Sequence, residues 1–108
     1  AVCCISDVVA IGAMQALREK GIRPGQEVSI IGYDGLELGA WLDPPLTTMH
    51  QPLKLAGEKL AKMLLNIVES GGLPLNNQEL VRASLVRRET ANAPLSTWPP
   101  IRKDSGKP

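Results

Sequence analysis

Apolar residues along the chain come in two kinds of spacing, short unbroken runs and helical stripes. Val2–Ile5 is a short run bounded by Ser6-Asp7, a pair suited to capping a helix. The spacing that follows predicts a helix from about Asp7 to Lys20, stopped by Gly21. Val28–Asp34 reads as a second strand, β-branched and almost wholly apolar. Strand, helix and strand in that order make a βαβ unit, hence a parallel sheet with covered faces. Leu46–Met49 predicts a third short strand. Pro52 is placed to start a second helix that runs to about Ser70, ahead of Gly71-Gly72. Residues 73–78 read as a polar loop and 80–88 as a final extended segment. From Ala91 onward the chain is rich in proline and polar residues and reads as a flexible tail.

The stripes add detail. In the first helix Val9, Ala13, Ala16 and Leu17 share one face, while Val8, Ile11 and Met14 supply a second apolar stripe. One face packs on the sheet. The other requires cover, either from more of the same fold or from another subunit. Residues 35–43 form a predicted loop that exposes Leu36, Leu38, Trp41 and Leu42. The second helix carries Leu53, Ala56, Leu60, Leu64 and Ile67 as one stripe, with Lys54, Glu58, Lys62 and Glu69 on the wet side.

Composition narrows the function. The 108 residues hold 12 Lys+Arg against 11 Asp+Glu, a formal net charge of +1, so a basic module that coats nucleic acid is excluded. Trp41, Trp98 and Tyr33 are the only aromatics, too few for a base-stacking platform. The longest purely apolar run, Ala1–Ile5, is far short of the roughly 20 residues of a membrane helix, and no membrane partner is expected. Cys3 and Cys4 are adjacent on a strand, so their side chains point to opposite faces and read as small core residues. No Cys/His grouping with metal-ligand spacing is present, and neither metal nor cofactor is expected. A reducing, cytoplasmic setting fits. With a single His50, which reads as a structural or surface residue, and no GxSxG, HExxH, GxGxxG or Walker pattern, the chain is not expected to be an enzyme.

A binding site has better support. In open α/β sheets, ligands sit beyond the carboxyl ends of the parallel strands. Asp7 follows the first strand and Asp34 the second. Beside Ser6, such carboxylates can accept hydrogen bonds from the vicinal hydroxyls of a sugar. Asp7 has a structural alternative as a first-turn acid that complements the helix dipole. Asp34 has one as the residue that initiates a turn before Gly35. Gln51, at the end of the third strand, can both donate and accept.

Taken together, Ser6-Asp7, Ala10–Ala13, Gly21-Ile22, Val28–Asp34, Pro45–Thr48, Gln51-Pro52 and Leu85–Thr90 resemble the lactose/galactose repressor family. The match is to the C-terminal third of its effector-binding core and spans about residues 1–92. The Leu-Thr-Thr element and the closing Arg-x-Thr favour the repressors over periplasmic sugar-binding proteins of the same fold, the alternative reading. The resemblance implies a regulator of transcription whose core is two Rossmann-like subdomains flanking a small-molecule cleft. The fold class expected is therefore α/β, an incomplete three-layer subdomain with a parallel sheet. Residues 1–51 and 79–90 would belong to the C-terminal subdomain, and 52–70 would cross to the N-terminal one. Effector contacts would fall at Ser6, Asp34, Gln51 and Leu53, with Asp7 a candidate beside them; the family usually carries Asn where Ser6 stands. A homodimer surface would form from the outer face of the first helix (Val8, Ile11, Met14, Gln15) and from Leu38, Trp41 and Leu42. Nothing along the chain resembles a helix-turn-helix or hinge helix. The chain is thus expected to be a fragment, with operator DNA contacted only through a headpiece outside it.

Overall fold

The computed structural model describes residues 1–72 and 78–92. Three parallel strands, β1 (Val2–Cys3), β2 (Ile30–Asp34) and β3 (Thr47–His50), are joined by one antiparallel strand, β4 (Ser84–Val86), in the spatial order β1-β2-β3-β4. Helix α1 (Asp7–Glu19) connects β1 to β2, and α2 (Leu53–Ser70) follows β3. The expected parallel sheet therefore holds for β1–β3, and β4 departs from it. His50, at the end of β3, pairs with Ser84, at the start of β4. The chain leaves the sheet at its carboxyl edge, makes an excursion through α2 and returns at that same edge. A parallel fourth strand would have required a crossover along the sheet face; α2 makes no such crossover, and none of its residues is buried.

Local chemistry sets the boundaries of α1. Ser6 is extended (φ −149°), and its Oγ accepts the Val9 N–H at 3.2 Å. At the other end Gly21 (φ +73°) donates its N–H to the Arg18 carbonyl. The side that meets the sheet is Asp7, Ala10, Met14 and, partly buried, Leu17. Ala10 and Met14 close the core with Ile30 of β2 and Leu46.

This corrects the sequence reading on two counts. Met14, assigned to a surface for a second subunit, is 1% exposed and packs on its own sheet. Val9, on the stripe left to face the sheet once Val8, Ile11 and Met14 are given to a second subunit, is half exposed. The helix is apolar nearly all round, so periodicity alone does not select its rotation; the buried Asp7, bonded to partners in the sheet and the following loop, does. The 35–43 loop also holds a 3-10 turn, Glu37–Trp41, that the sequence reading lacked.

Threonines stitch the returning segment to the sheet. The buried Thr90 hydroxyl donates to the Ile30 carbonyl and accepts the Thr47 N–H, both at 2.8 Å. Thr47 Oγ1 accepts the Arg88 N–H at 2.9 Å, and the Arg88 guanidinium donates to the Leu46 carbonyl at 2.7 Å. These bonds satisfy backbone groups beside β2 and β3 that would otherwise be orphaned. Of the two cysteines, Cys4 packs partly against the core, and burial, then the neighbouring Cys3, pushes its thiol above the ordinary value; Cys3 is exposed. The loop assigned to 73–78 lies almost wholly outside the described residues, as does the tail from residue 93 with Trp98.

Candidate functional site

β2 and β3 end side by side at the carboxyl edge of the sheet, with Asp34 in register with His50. One residue further on, Gln51 turns back onto β2. Its amide Nε2 donates to Asp34 Oδ1 at 2.8 Å, and its backbone N–H reaches the Asp34 carbonyl at 3.4 Å. Asp34 and Gln51 thus form one polar unit carried by two strand ends. Asp34 holds φ at +121°, a conformation that costs a residue with a side chain on the order of 1–3 kcal/mol. Gly35 follows at φ +78°, and a Cβ there would collide with the His50 ring and its Cα. That turn accordingly needs glycine.

The first turns of α2 stand across from this unit. Between them lies a cleft of about 700 Å³, lined by Asp34, Gly35, Leu36, Glu37, His50, Gln51, Pro52, Leu53, Lys54, Leu55 and Glu58. Its size suits a small organic ligand. Leucines and Pro52 offer apolar wall, and the Asp34–Gln51 unit offers orientation. Among the described residues only Oδ1 of Asp34 is engaged by a side chain, so its other oxygen can accept from a guest hydroxyl. Gln51 retains a carbonyl oxygen and a second N–H, so acceptor and donor stand together, as recognition of a hydroxyl requires.

The cleft brings together three of the five expected effector residues: Asp34, Gln51 and Leu53. Ser6 and Asp7 are not among its lining residues. The Ser6 hydroxyl caps α1. Asp7 is corrected from ligand contact to structural anchor: it is 0% exposed, Oδ2 accepts the Leu36 N–H at 2.7 Å, and Oδ1 accepts the Thr48 hydroxyl. Thr48 in turn accepts the Gly35 N–H at 3.2 Å. Gly32, beside Thr48 in the sheet, makes room for this carboxylate, because a Cβ at 32 would strike Asp7 Oδ1. Asp7 therefore acts on the cleft at one remove, by holding the 35–36 turn that forms its lip.

The sequence reading missed Glu37, His50, Lys54 and Glu58 as lining residues. Lys54 and Glu58 read as a solvated helix face, since nothing local reveals that the start of α2 overhangs the sheet edge. The position of His50, next to Gln51 at a strand end, was the available signal. Of the expected subunit contacts, Val8, Gln15, Leu38 and Trp41 are exposed, Trp41 at 85%; Ile11 is half-buried, and Leu42 packs partly against the core. The Gln15 amide donates to Glu19 on the same helix.

A family model described as a periplasmic binding protein-like domain matches residues 1–91. The chain belongs to that family. Its relatives are named as regulators of transcription. The HTH-type transcriptional repressor PurR of Vibrio atlanticus is 45% identical over 69 residues, covering 64% of this chain and 21% of that protein. The lactose operon repressor of Escherichia coli K12 is 39% identical over 89 residues, covering 82% of this chain and 24% of that protein. Among solved structures, the lac repressor dimer bound to operator and the anti-inducer ONPF superposes with a TM-score of 0.77 at 35% identity, over 84% of this chain and 31% of that one. The chain thus spans about a fifth to a quarter of the curated relatives it matches. Its mixed α/β, parallel-dominated sheet is that of a lac repressor-type core. No helix among the described residues is long and apolar enough to cross a membrane.

Proposed function

We propose that this chain supplies one wall of the effector cleft of a transcriptional repressor, and that the effector is a sugar or sugar derivative read through its hydroxyls by Asp34 and Gln51. The observation that carries the reading is the Asp34–Gln51 unit: a carboxylate and an amide from neighbouring strand ends, bonded to each other and facing a cleft of ligand size. Kinship with the lactose operon repressor supports the ligand class. Leu53 offers apolar surface for the C–H face of a sugar ring. The work assigned to the chain is binding, not catalysis, in the cytoplasm where DNA is regulated.

The mechanism is linkage. An effector that binds one geometry of the cleft better than another shifts the population toward it, by no more than the difference in affinity. The shift passes through a homodimer to DNA-binding headpieces outside this sequence. The dimer surface proposed is the exposed Val8, Gln15, Leu38 and Trp41 with the half-buried Ile11 and Leu42 at its margin. Leu36 ties the start of the 3-10 turn to Asp7 of α1, so the two apolar elements are held as one unit.

Asp34→Ala removes a charged hydrogen-bond acceptor from the ligand and is expected to weaken sugar binding by about 1.5–3 kcal/mol. Titration calorimetry checks this on an effector-responsive sugar. Unchanged affinity removes Asp34 from the site and with it the proposed function.

A further inference from the structure

Charge is distributed unevenly over the cleft. Three carboxylates line it, Asp34, Glu37 and Glu58, against one ammonium, Lys54, with His50 neutral in the formal count at pH 7. Among the described residues the ion pairs are Arg23–Glu27 and Lys59–Glu79, so none of the cleft carboxylates is matched in this way. The excess is local, because the whole chain carries a net charge of +1. A concave wall that is otherwise apolar concentrates the field of such fixed charges on whatever enters.

The usual means of holding a phosphate are reduced here. No arginine lines this wall among the described residues. The start of α2 has few free N–H groups: Pro52 has none, and Leu53 N–H already donates to the Gln51 carbonyl at 2.8 Å. The Asp34 side chain, bonded to Gln51, is fixed in place.

We propose that the cleft selects a cationic polyol, an amino sugar whose ammonium meets Glu37, Glu58 and Asp34, over the neutral sugar, and that it rejects the sugar phosphate. This rests on the effector reading above and names the ligand class of that same site.

The test is an amide chemical-shift titration of the 15N-labelled full chain, a method that reads weak binding residue by residue. The probes are glucose, glucosamine and glucose 6-phosphate, with their galacto epimers, at pH 7 and low salt. The Gly35 and Gln51 amides are expected to respond most tightly to the amino sugar, by about three- to tenfold over the neutral one, with the phosphate weaker by a similar factor. Added salt narrows the series. The double substitution Glu37→Gln/Glu58→Gln, at two exposed positions, makes the affinities converge. Binding at Gly35 and Gln51 with equal affinities, or tightest for the phosphate, overturns the charge selection and leaves the effector reading standing. No response at those amides to any probe overturns both.

Discussion

Two parts of this molecule meet the same problem, an apolar helix beside a sheet, and resolve it differently. At the β1–α1–β2 corner, Ala10 and Met14 are buried against Ile30 and Leu46, and a buried carboxylate fixes how the helix is rotated. Helix α2 has the more regular apolar stripe, yet Leu53, Leu60 and Leu64 are exposed and no residue of the helix is buried. Its polar tie to the returning segment is the exposed Lys59–Glu79 pair, a kind of contact worth about 1 kcal/mol or less. Amphipathicity states only that a helix requires a partner. A specific long-range polar contact states which one.

Breaking the anchored corner has the largest expected effect. Asp7→Ala leaves the Thr48 hydroxyl and the Leu36 N–H without their acceptor and is expected to lower stability by about 3 kcal/mol. Urea unfolding followed by far-UV circular dichroism reads the loss; a change below about 0.5 kcal/mol would show that the anchor contributes nothing. Next is Gly32→Ala, which pushes a methyl into Asp7 Oδ1 and within 3.2 Å of Leu46, for an expected loss of about 2 kcal/mol in the same assay. The smallest effect is on the other side of the comparison. Leu64→Ala on α2 is expected to stay within about 0.5 kcal/mol of wild type, whereas the same change at a buried leucine costs about 2–5 kcal/mol. A large loss at Leu64 would mean that α2 is packed after all.

Much of the fold was legible in local chemistry. Ser6 and Gly21 marked the ends of α1, the β-branched run marked β2, and Gly71, in the left-handed conformation at φ +68°, marked the end of α2. Strand ends were readable as a ligand edge, which brought Asp34 and Gln51 into view. What was not legible depends on distance along the chain. Asp7 is bonded to residues 29 and 41 positions away. From sequence, then, an acid that holds the fold looks the same as an acid proposed to hold a ligand. The direction of β4 and the overhang of α2 likewise follow from where the chain re-enters the sheet, which apolar periodicity does not encode. Met14 was placed on the wrong side because its stripe and its neighbour's are equally apolar.

The division of labour between the two aspartates is the central claim, and Asp34→Gly measures it most directly. Glycine adopts φ +121° without strain, which offsets the lost Gln51 bond, so the stability read by urea unfolding is expected to lie within about 0.5 kcal/mol of wild type while the sugar response at Gln51 disappears. A loss of more than about 2 kcal/mol in stability with the sugar response intact would contradict the account, because Asp34 would then support the fold and not the ligand.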